Sequence, residues 1–333
     1  MMYYSFRQQL TCILNRECTI RCGTMVYSFK VLHAEHIGVG VVLSHALNRL
    51  GVTSRVISAA PHPFGFKEDY LLPRRRLGST HLAYYTRYLD WRQYRSLFNL
   101  LHSHNDVAYP RYVLKLWKNR IVQHYHNPNG KIPLYREVPS LVSMPNMLDR
   151  VPDGKFIPIP VDTDTFKPTP KRRTDLDLVR VGYSDQYTDP NKRQYLAISE
   201  IKDAISRLEG KAIGVPLNQI ISHQEIPNYY ATLDLWVDRV GLGFYGFGAV
   251  EAAACGVPII TDIQESDLKF VKDCPFVNIH SRAEIQSAVE TLVKDRSSRE
   301  LLAAKSREFI VNTHDSLKVA KRCIRIYQDE FCS

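Results

Sequence analysis

Apolar positions follow two alternating rhythms along the chain. Short strand-like runs rich in apolar residues appear in "FKVLHA" (Phe29 to Ala34) and "SRVISA" (Ser54 to Ala59). Between them lies "GVGVVLSHALNRLG" (Gly38 to Gly51), in which Leu43, Ala46 and Leu47 gather on one side at helical spacing. The runs predict strands buried on both faces, and the longer stretch predicts an amphipathic helix with Gly51 where a C-terminal glycine belongs. A second unit follows: "SLFNLLHSH" ends in a strand, "VAYPRYVLKLWKN" has helical spacing, and "RIVQHYH" is a further strand. Strand, helix and strand in repetition predict an α/β fold built on doubly wound parallel sheets.

From Val151 to Pro170 the rhythm stops. The segment "VPDGKFIPIPVDTDTFKPTP" carries five prolines, which exclude a regular helix or a central strand and predict a linker. Beyond it, "LDLVRVGYSD" predicts a strand, "RQYLAISEIKDAISRLEG" an amphipathic helix and "DLWVDRVG" another strand, so the architecture recurs without sequence repetition. A chain of 333 residues exceeds one ordinary core and fits two domains with a cleft between them. The expected division is an accessory extension over 1–24, an N-terminal domain over 25–165, a C-terminal domain over 166–315 and a closing amphipathic helix within 316–333 that crosses back to the first domain. Met25 stands directly before the first clean strand pattern, which suggests a start there.

Composition narrows the class. A hydrophobic content of 44% with 23% charged residues describes a globular chain, and no apolar run approaches the roughly 20 residues of a membrane-spanning helix. Seven cysteines, Cys12, Cys18, Cys22, Cys255, Cys274, Cys323 and Cys332, form no CxxC pair and point to reduced thiols in a cytoplasmic setting, with neither zinc nor a disulfide framework. The net charge of +10 calls for an anionic partner: nucleic acid, a phosphorylated small molecule or an acidic membrane surface.

In open α/β sheets ligands bind beyond the carboxyl ends of strands, where glycines let backbone amides approach phosphate at a helix N-terminus. Gly38 and Gly40 occupy one such junction, where a tight turn explains them as well as a ligand does. They form no GxGxxG fingerprint, which disfavours a dehydrogenase. The stretch "GLGFYGFGAVEAAACGVPIIT" (Gly241 to Thr261) occupies the other junction. Read as glycine loop followed by a helix from Val250, it sets Glu251 in the first helical turn, where the dipole favours a carboxylate; a good helix-start residue is the plain alternative.

This stretch resembles the signature of the GT-B glycosyltransferases of the large retaining family 4, E-x-F-G-x-x-x-x-E-A-x-A-x-G-x-P-V-I. Tyr245 and Gly246 fall on the Phe-Gly pair, Glu251 on the second glutamate, and Ala252, Ala254, Gly256 and Pro258 on the run that follows. The linker "IPIPVDTDTFKP" is similar to the family's V-x-N-G-V-D-x-x-x-F-x-P, and the "DTD" at Asp162 to Asp164 belongs to that match and to no metal site. The resemblance implies two Rossmann-like domains facing a central cleft, a nucleotide diphosphate sugar held by the C-terminal domain, an acceptor held by the N-terminal one, and no cofactor or metal. It assigns Glu251 to the donor ribose, Lys192 of "DPNKR" and the strand glycine Gly182 to the donor diphosphate region, Gly246 to the donor loop, Gly38 and Gly40 to the phosphate and acceptor loop, and His126, with His124 beside it, to a sugar hydroxyl. Without the resemblance, Lys192 reads as a solvated loop lysine and His126 as a turn histidine. Retaining transfer in this family proceeds on one face without a protein nucleophile, by placement and by stabilising the departing diphosphate.

Two departures stand out. The signature's first glutamate falls on Gly243, and the family's arginine after the strand glycine falls on Tyr183, leaving Asp238 or Arg239 to compensate. They keep a catalytically silent nucleotide-sugar-binding protein open beside the hexosyltransferase. The segment "YYTRYLDWRQYRSLFNLL" (Tyr84 to Leu101), preceded by Arg74 to Arg76, carries aromatic and cationic positions that fit an anionic membrane surface, nucleic acid or ordinary core packing. Of the three, core packing is the plain reading, and nucleic acid is the partner least expected.

Overall fold

The apolar-rich runs of the first half become strands of a parallel sheet, buried at nearly every position. The computed structural model describes residues 20–21, 24–25, 28–34, 38–58, 61–71, 91–104, 111–118, 120–127, 138–170, 178–186, 194–208 and 210–332. Within the stretch read as an extension, β1 (Ile20–Arg21) and β2 (Thr24–Met25) form a short antiparallel pair. The first large sheet contains β3 (Lys30–Ala34), β4 (Thr53–Ser58), β5 (Tyr70–Leu71), β6 (Leu100–His104), β7 (Ile121–Tyr125), β8 (Ser140–Val142) and β9 (Lys155–Phe156), in the order β5-β4-β3-β6-β7-β8-β9. All its pairings are parallel. The strand order reverses between β3 and β6, opening a crevice beyond their carboxyl ends.

The second sheet contains β10 (Val179–Ser184), β11 (Ala212–Leu217), β12 (Leu235–Val237), β13 (Ile259–Thr261) and β14 (Val277–Asn278), ordered β11-β10-β12-β13-β14 and again parallel throughout. Its crevice lies between β10 and β12. The α/β class with two doubly wound sheets is therefore the fold observed.

Several local expectations are corrected. The segment read as a linker without a central strand contributes only an edge strand, β9, where a proline-free interval, Gly154 to Ile157, meets β8. The rest of that segment is fastened: Arg307 donates to the carbonyls of Thr163, Phe166 and Ala254 at 2.9, 2.6 and 2.8 Å. The helix expected over residues 193–210 is Ile198–Ser206, and the strand expected over 234–241 ends at Val237. Strand β11 escaped sequence reading because Gly214 and Pro216 interrupt its pattern; proline is tolerated there because β11 is an edge strand.

The last helix, Ser316–Phe331, is capped by Asp315, which accepts from the amides of Leu317 and Lys318. Its Val319, Ala320, Cys323, Ile324 and Tyr327 pack in one cluster with Phe29, Val31, Leu43 and Leu47, so the end of the chain lies on the first sheet. A second cluster joins Tyr125, Val142 and Met147 of the first sheet's side to Trp236, Phe244 and Ala249 of the second. Among the described residues no helix is long and apolar enough to cross a membrane.

Candidate functional site

The loops after the strands of the two sheets meet across the crevice. The His223 amide donates to the Phe64 carbonyl at 2.8 Å, Asn146 Nδ2 donates to the Leu242 carbonyl at 2.8 Å, and the His126 ring lies 6.3 Å from that of Phe247.

On the second-sheet side the chain turns after β12 through residues 238–246. Gly241 and Gly243 take left-handed backbone angles, φ 90° and 78°, and both amides donate to Asp262 Oδ2, at 2.8 and 3.1 Å. The Gly246 amide donates to Asp238 Oδ2 at 2.7 Å. These three amides are thus used inside the protein, which corrects the expectation that they stand open to a ligand, and the buried Asp238 anchors the loop. A Cβ on Gly243 would lie 2.7 Å from Gln264 Nε2, so the acid that the signature carries would have to displace the Gln264 side chain and take a left-handed backbone at φ 78°. The helix Phe247–Ala254 that follows has no side-chain cap from its N-cap Gly246, and its dipole favours an anion at this end. The Arg239 guanidinium lies over Gly246, where a Cβ would come 2.8 Å from Arg239 Cζ.

Glu251 is the fifth residue of this helix and lies in its second turn; the expected first-turn position is wrong because the helix starts at Phe247. Gly248 enters the helix because the Trp236 indole leaves little space there, 3.1 Å from a Cβ at Gly248. Glu251 Oε2 accepts from the Tyr230 hydroxyl at 3.0 Å, and burial pushes its carboxyl up to about 7. Burial, reinforced by Glu251, drives the Tyr230 phenol well above its usual value. Tyr245, on the signature's aromatic position, is buried with its hydroxyl against His314 Nε2 at 2.8 Å, while His314 Nδ1 meets the Ile159 carbonyl at 2.8 Å. That pair ties the glycine loop to the interdomain connection.

Gly182 sits inside β10 and abuts Leu233 and Trp236, with a Cβ position 2.9 Å from Trp236 Cε3, and Tyr183 is buried in the core beside it. Lys192 lies outside the described residues. On the first-sheet side, Gly38 has φ 89° at the head of the helix Val39–Arg49, and the Phe66 ring, which stacks on His223 at 4.2 Å, fills the space where a side chain would stand. Gly40 is buried in that helix's first turn. Of the basic aromatic segment, Trp91 and Phe98 face the core and Arg95 lies over the Trp117 ring at 5.6 Å; Tyr84 to Asp90 lie outside the described residues.

His126 follows β7 at the crevice, 6% exposed. Its Nδ1 meets Ser143 Oγ at 2.7 Å and its Nε2 meets His104 Nδ1 at 2.9 Å. The expectation of a free ring nitrogen for a sugar hydroxyl is therefore not met. His126 belongs instead to a row that sequence reading missed. His104 Nε2 meets His33 Nδ1 at 2.9 Å, Ser143 Oγ meets His124 Nε2 at 3.0 Å, His124 Nδ1 meets His102 Nε2 at 3.2 Å, and His102 Nδ1 meets the Tyr327 hydroxyl at 2.6 Å. Burial lowers His33 to about 3 and holds His102, His104 and His124 well below the usual histidine range, with their neighbours adding to the effect, so these rings are neutral. The doublets "HSH" and "HYH", which place alternate residues on one sheet face, were the available signal.

The structure thus brings Asp238, Arg239 and Gly246 into contact, sets Glu251 one turn along the same helix, and faces that helix with His126. Gly182 stands apart, against Trp236.

No known family model matches the sequence, and no curated protein does. Solved structures do match. A glycosyltransferase from Rickettsia africae ESF-5 superposes with a TM-score of 0.64 at 10% identity, covering 90% of this chain and 98% of that one. Anabaena HepE, solved in complex with UDP and glucose, gives 0.62 at 14% identity over 90% of this chain and 100% of its own. Sucrose-phosphate synthase from Thermosynechococcus elongatus gives 0.58 at 14% identity over 91% and 99%. At these identities the likeness defines the fold, which is the two-domain GT-B arrangement.

Proposed function

We propose that the chain is a glycosyltransferase that moves a hexose from a nucleotide diphosphate sugar to an acceptor with retention, as its family 4 resemblance implies. The observation that carries this reading is the uncapped start of the helix Phe247–Ala254, with Arg239 over Gly246 and the Glu251 carboxyl one turn further on. A helix N-terminus with an adjacent guanidinium suits a diphosphate, and a carboxylate enclosed beside it suits the two hydroxyls of a ribose. The GT-B fold and a neighbour solved with UDP and glucose support a UDP-type donor.

The chemistry needs little from the chain beyond placement. Arg239 and the first-turn amides neutralise the leaving diphosphate as charge builds on it, in a crevice whose walls hold water off. Glu251 accepts from the ribose and so fixes the distance from base to diphosphate. His126 forms part of the wall around the transferred sugar, by contact alone, because both ring nitrogens are engaged. No metal is needed at this donor site. With Gly243 in place of an acid, no carboxylate reaches the transferred hexose from that position.

Incubation of the purified chain with UDP-, GDP- and ADP-hexoses tests the reading. Release of nucleotide diphosphate from one of them, abolished by Glu251→Gln, is expected. Nucleotide binding without turnover of any donor, with and without added acceptor sugars, would instead identify a silent binding protein.

A further inference from the structure

Three adjacent strands of the first sheet present five imidazoles on one face: His33 from β3, His102 and His104 from β6, His124 from β7 and His126 just after it. Register places His33 beside His102 and His104 beside His124. All five are buried, at 0% exposure except for His126 at 6%. A neutral imidazole has one donor and one acceptor, so the rings on each side of Ser143 must take one tautomer order, with the Ser143 hydroxyl joining the two halves. Even then the row ends on His33 Nε2, which is buried without a partner. Hydrogen bonding alone is an imperfect account of why a parallel sheet should bury five such groups.

We propose that His104, His124 and His126 bind one divalent transition-metal ion of the class that prefers imidazole, zinc foremost. One ligand nitrogen from each lies within 4.8 Å of the others. The arrangement also supplies the outer layer that metal-binding histidines have, in which the second ring nitrogen is held by another group. His126 Nδ1 is held by Ser143 Oγ and His104 Nε2 by His33 Nδ1. His124 is held by His102 on one nitrogen and Ser143 on the other, so whichever nitrogen binds, the opposite one stays fixed.

Two contacts must open: the one between His104 Nδ1 and His126 Nε2, now 2.9 Å, and the one that His124 makes through whichever of its nitrogens binds, 3.2 Å to His102 or 3.0 Å to Ser143. With metal–nitrogen bonds of about 2.0–2.1 Å, a tetrahedral site separates two ligand nitrogens by roughly 3.3–3.4 Å, so the His104–His126 pair widens by about 0.4 Å while the His124 nitrogen, within 4.8 Å of both, adjusts to the same spacing. The alternative triad, His33, His102 and His104, is sealed at 0% exposure, whereas His126 borders the crevice and offers an entry path. An all-nitrogen set selects zinc, copper or nickel over magnesium or calcium. Three protein ligands leave a fourth position for water on the His126 side. The site would clasp β6 to β7, and it does not depend on the donor reading.

The test uses the full-length, tag-free chain, loaded with zinc or cobalt and dialysed. Elemental analysis should find one equivalent per chain, zinc X-ray absorption should show imidazole ligation, and the cobalt form should show a tetrahedral visible spectrum. His104→Gln and His126→Asn should each weaken zinc binding by more than 100-fold, beyond the 10- to 100-fold typical of losing a supporting residue. His280→Asn, an exposed histidine elsewhere, should leave zinc binding unchanged. A folded wild-type chain that retains neither zinc nor cobalt overturns the proposal, as does zinc that survives His104→Gln. Should the variants fail to fold, wild-type X-ray absorption decides: absence of imidazole scattering overturns it.

Discussion

Glu251→Gln separates donor recognition from folding. The side chain keeps its volume and an oxygen for the Tyr230 hydroxyl at 3.0 Å, and loses only its capacity for charge. A hydrogen bond to a charged acceptor contributes about 1.5–3 kcal/mol, so losing one between ribose and carboxylate should weaken UDP binding by roughly 10- to 150-fold. Glu251→Ala adds a second cost, because it leaves the buried Tyr230 hydroxyl unpaired, about 1–3 kcal/mol of stability. The pH dependence follows from the raised carboxyl. In the free protein it titrates at about 7, against 4.5 for an ordinary glutamate, so its contribution to stability is full below about 4.5 and is lost as pH rises through 7. A ribose bound to the ionised form reverses this preference: UDP affinity should rise about tenfold between pH 6 and pH 8, with proton release near pH 7. Titration calorimetry in buffers of different ionisation enthalpy reads both quantities. The phosphate of UDP titrates in the same region, but equally for both proteins, so the difference between wild type and Glu251→Gln isolates the carboxyl. Equal UDP affinity and equal proton release in a folded Glu251→Gln protein would refute the assignment.

Gly243→Glu, which restores the acid of the signature, should destabilise the chain by about 1–2 kcal/mol or more in urea unfolding. At φ 78° a left-handed conformation opposes any side chain, and Gln264 occupies the space; unchanged stability would contradict the loop geometry. His314, buried and lowered to about 4, stabilises the fold fully above the usual histidine value of 6.5, and that contribution is lost as pH falls from there towards 4. Between pH 7 and pH 4.5 this group alone should remove roughly 2–3 kcal/mol, so His314→Gln should flatten the pH dependence of urea midpoints over that range, and parallel profiles would contradict it.

What was legible in the sequence tracks how locally each feature is encoded. Strands β6 and β7 are covered on both faces and open on the apolar pairs Leu100–Leu101 and Ile121–Val122, which made them readable, whereas β11 hides behind Gly214 and Pro216. The donor-side signature was readable because its residues are contiguous, but its glycines were misassigned. The partner of the Gly241 and Gly243 amides, Asp262, sits beyond the next strand, and no local pattern connects them. The helix start was missed because Phe247 and Gly248 look like loop until Trp236 packs against them. The histidine row required the register of three strands, which only the folded sheet supplies.

The proposed donor site places a nucleotide diphosphate at the start of the helix Phe247–Ala254 with its ribose on Glu251. A crystal structure of the chain with UDP tests this most directly. The prediction is phosphate oxygens against the first-turn amides and the Arg239 guanidinium, and ribose hydroxyls on the Glu251 carboxylate. UDP bound elsewhere in the crevice, or no UDP bound at millimolar concentration, would contradict it.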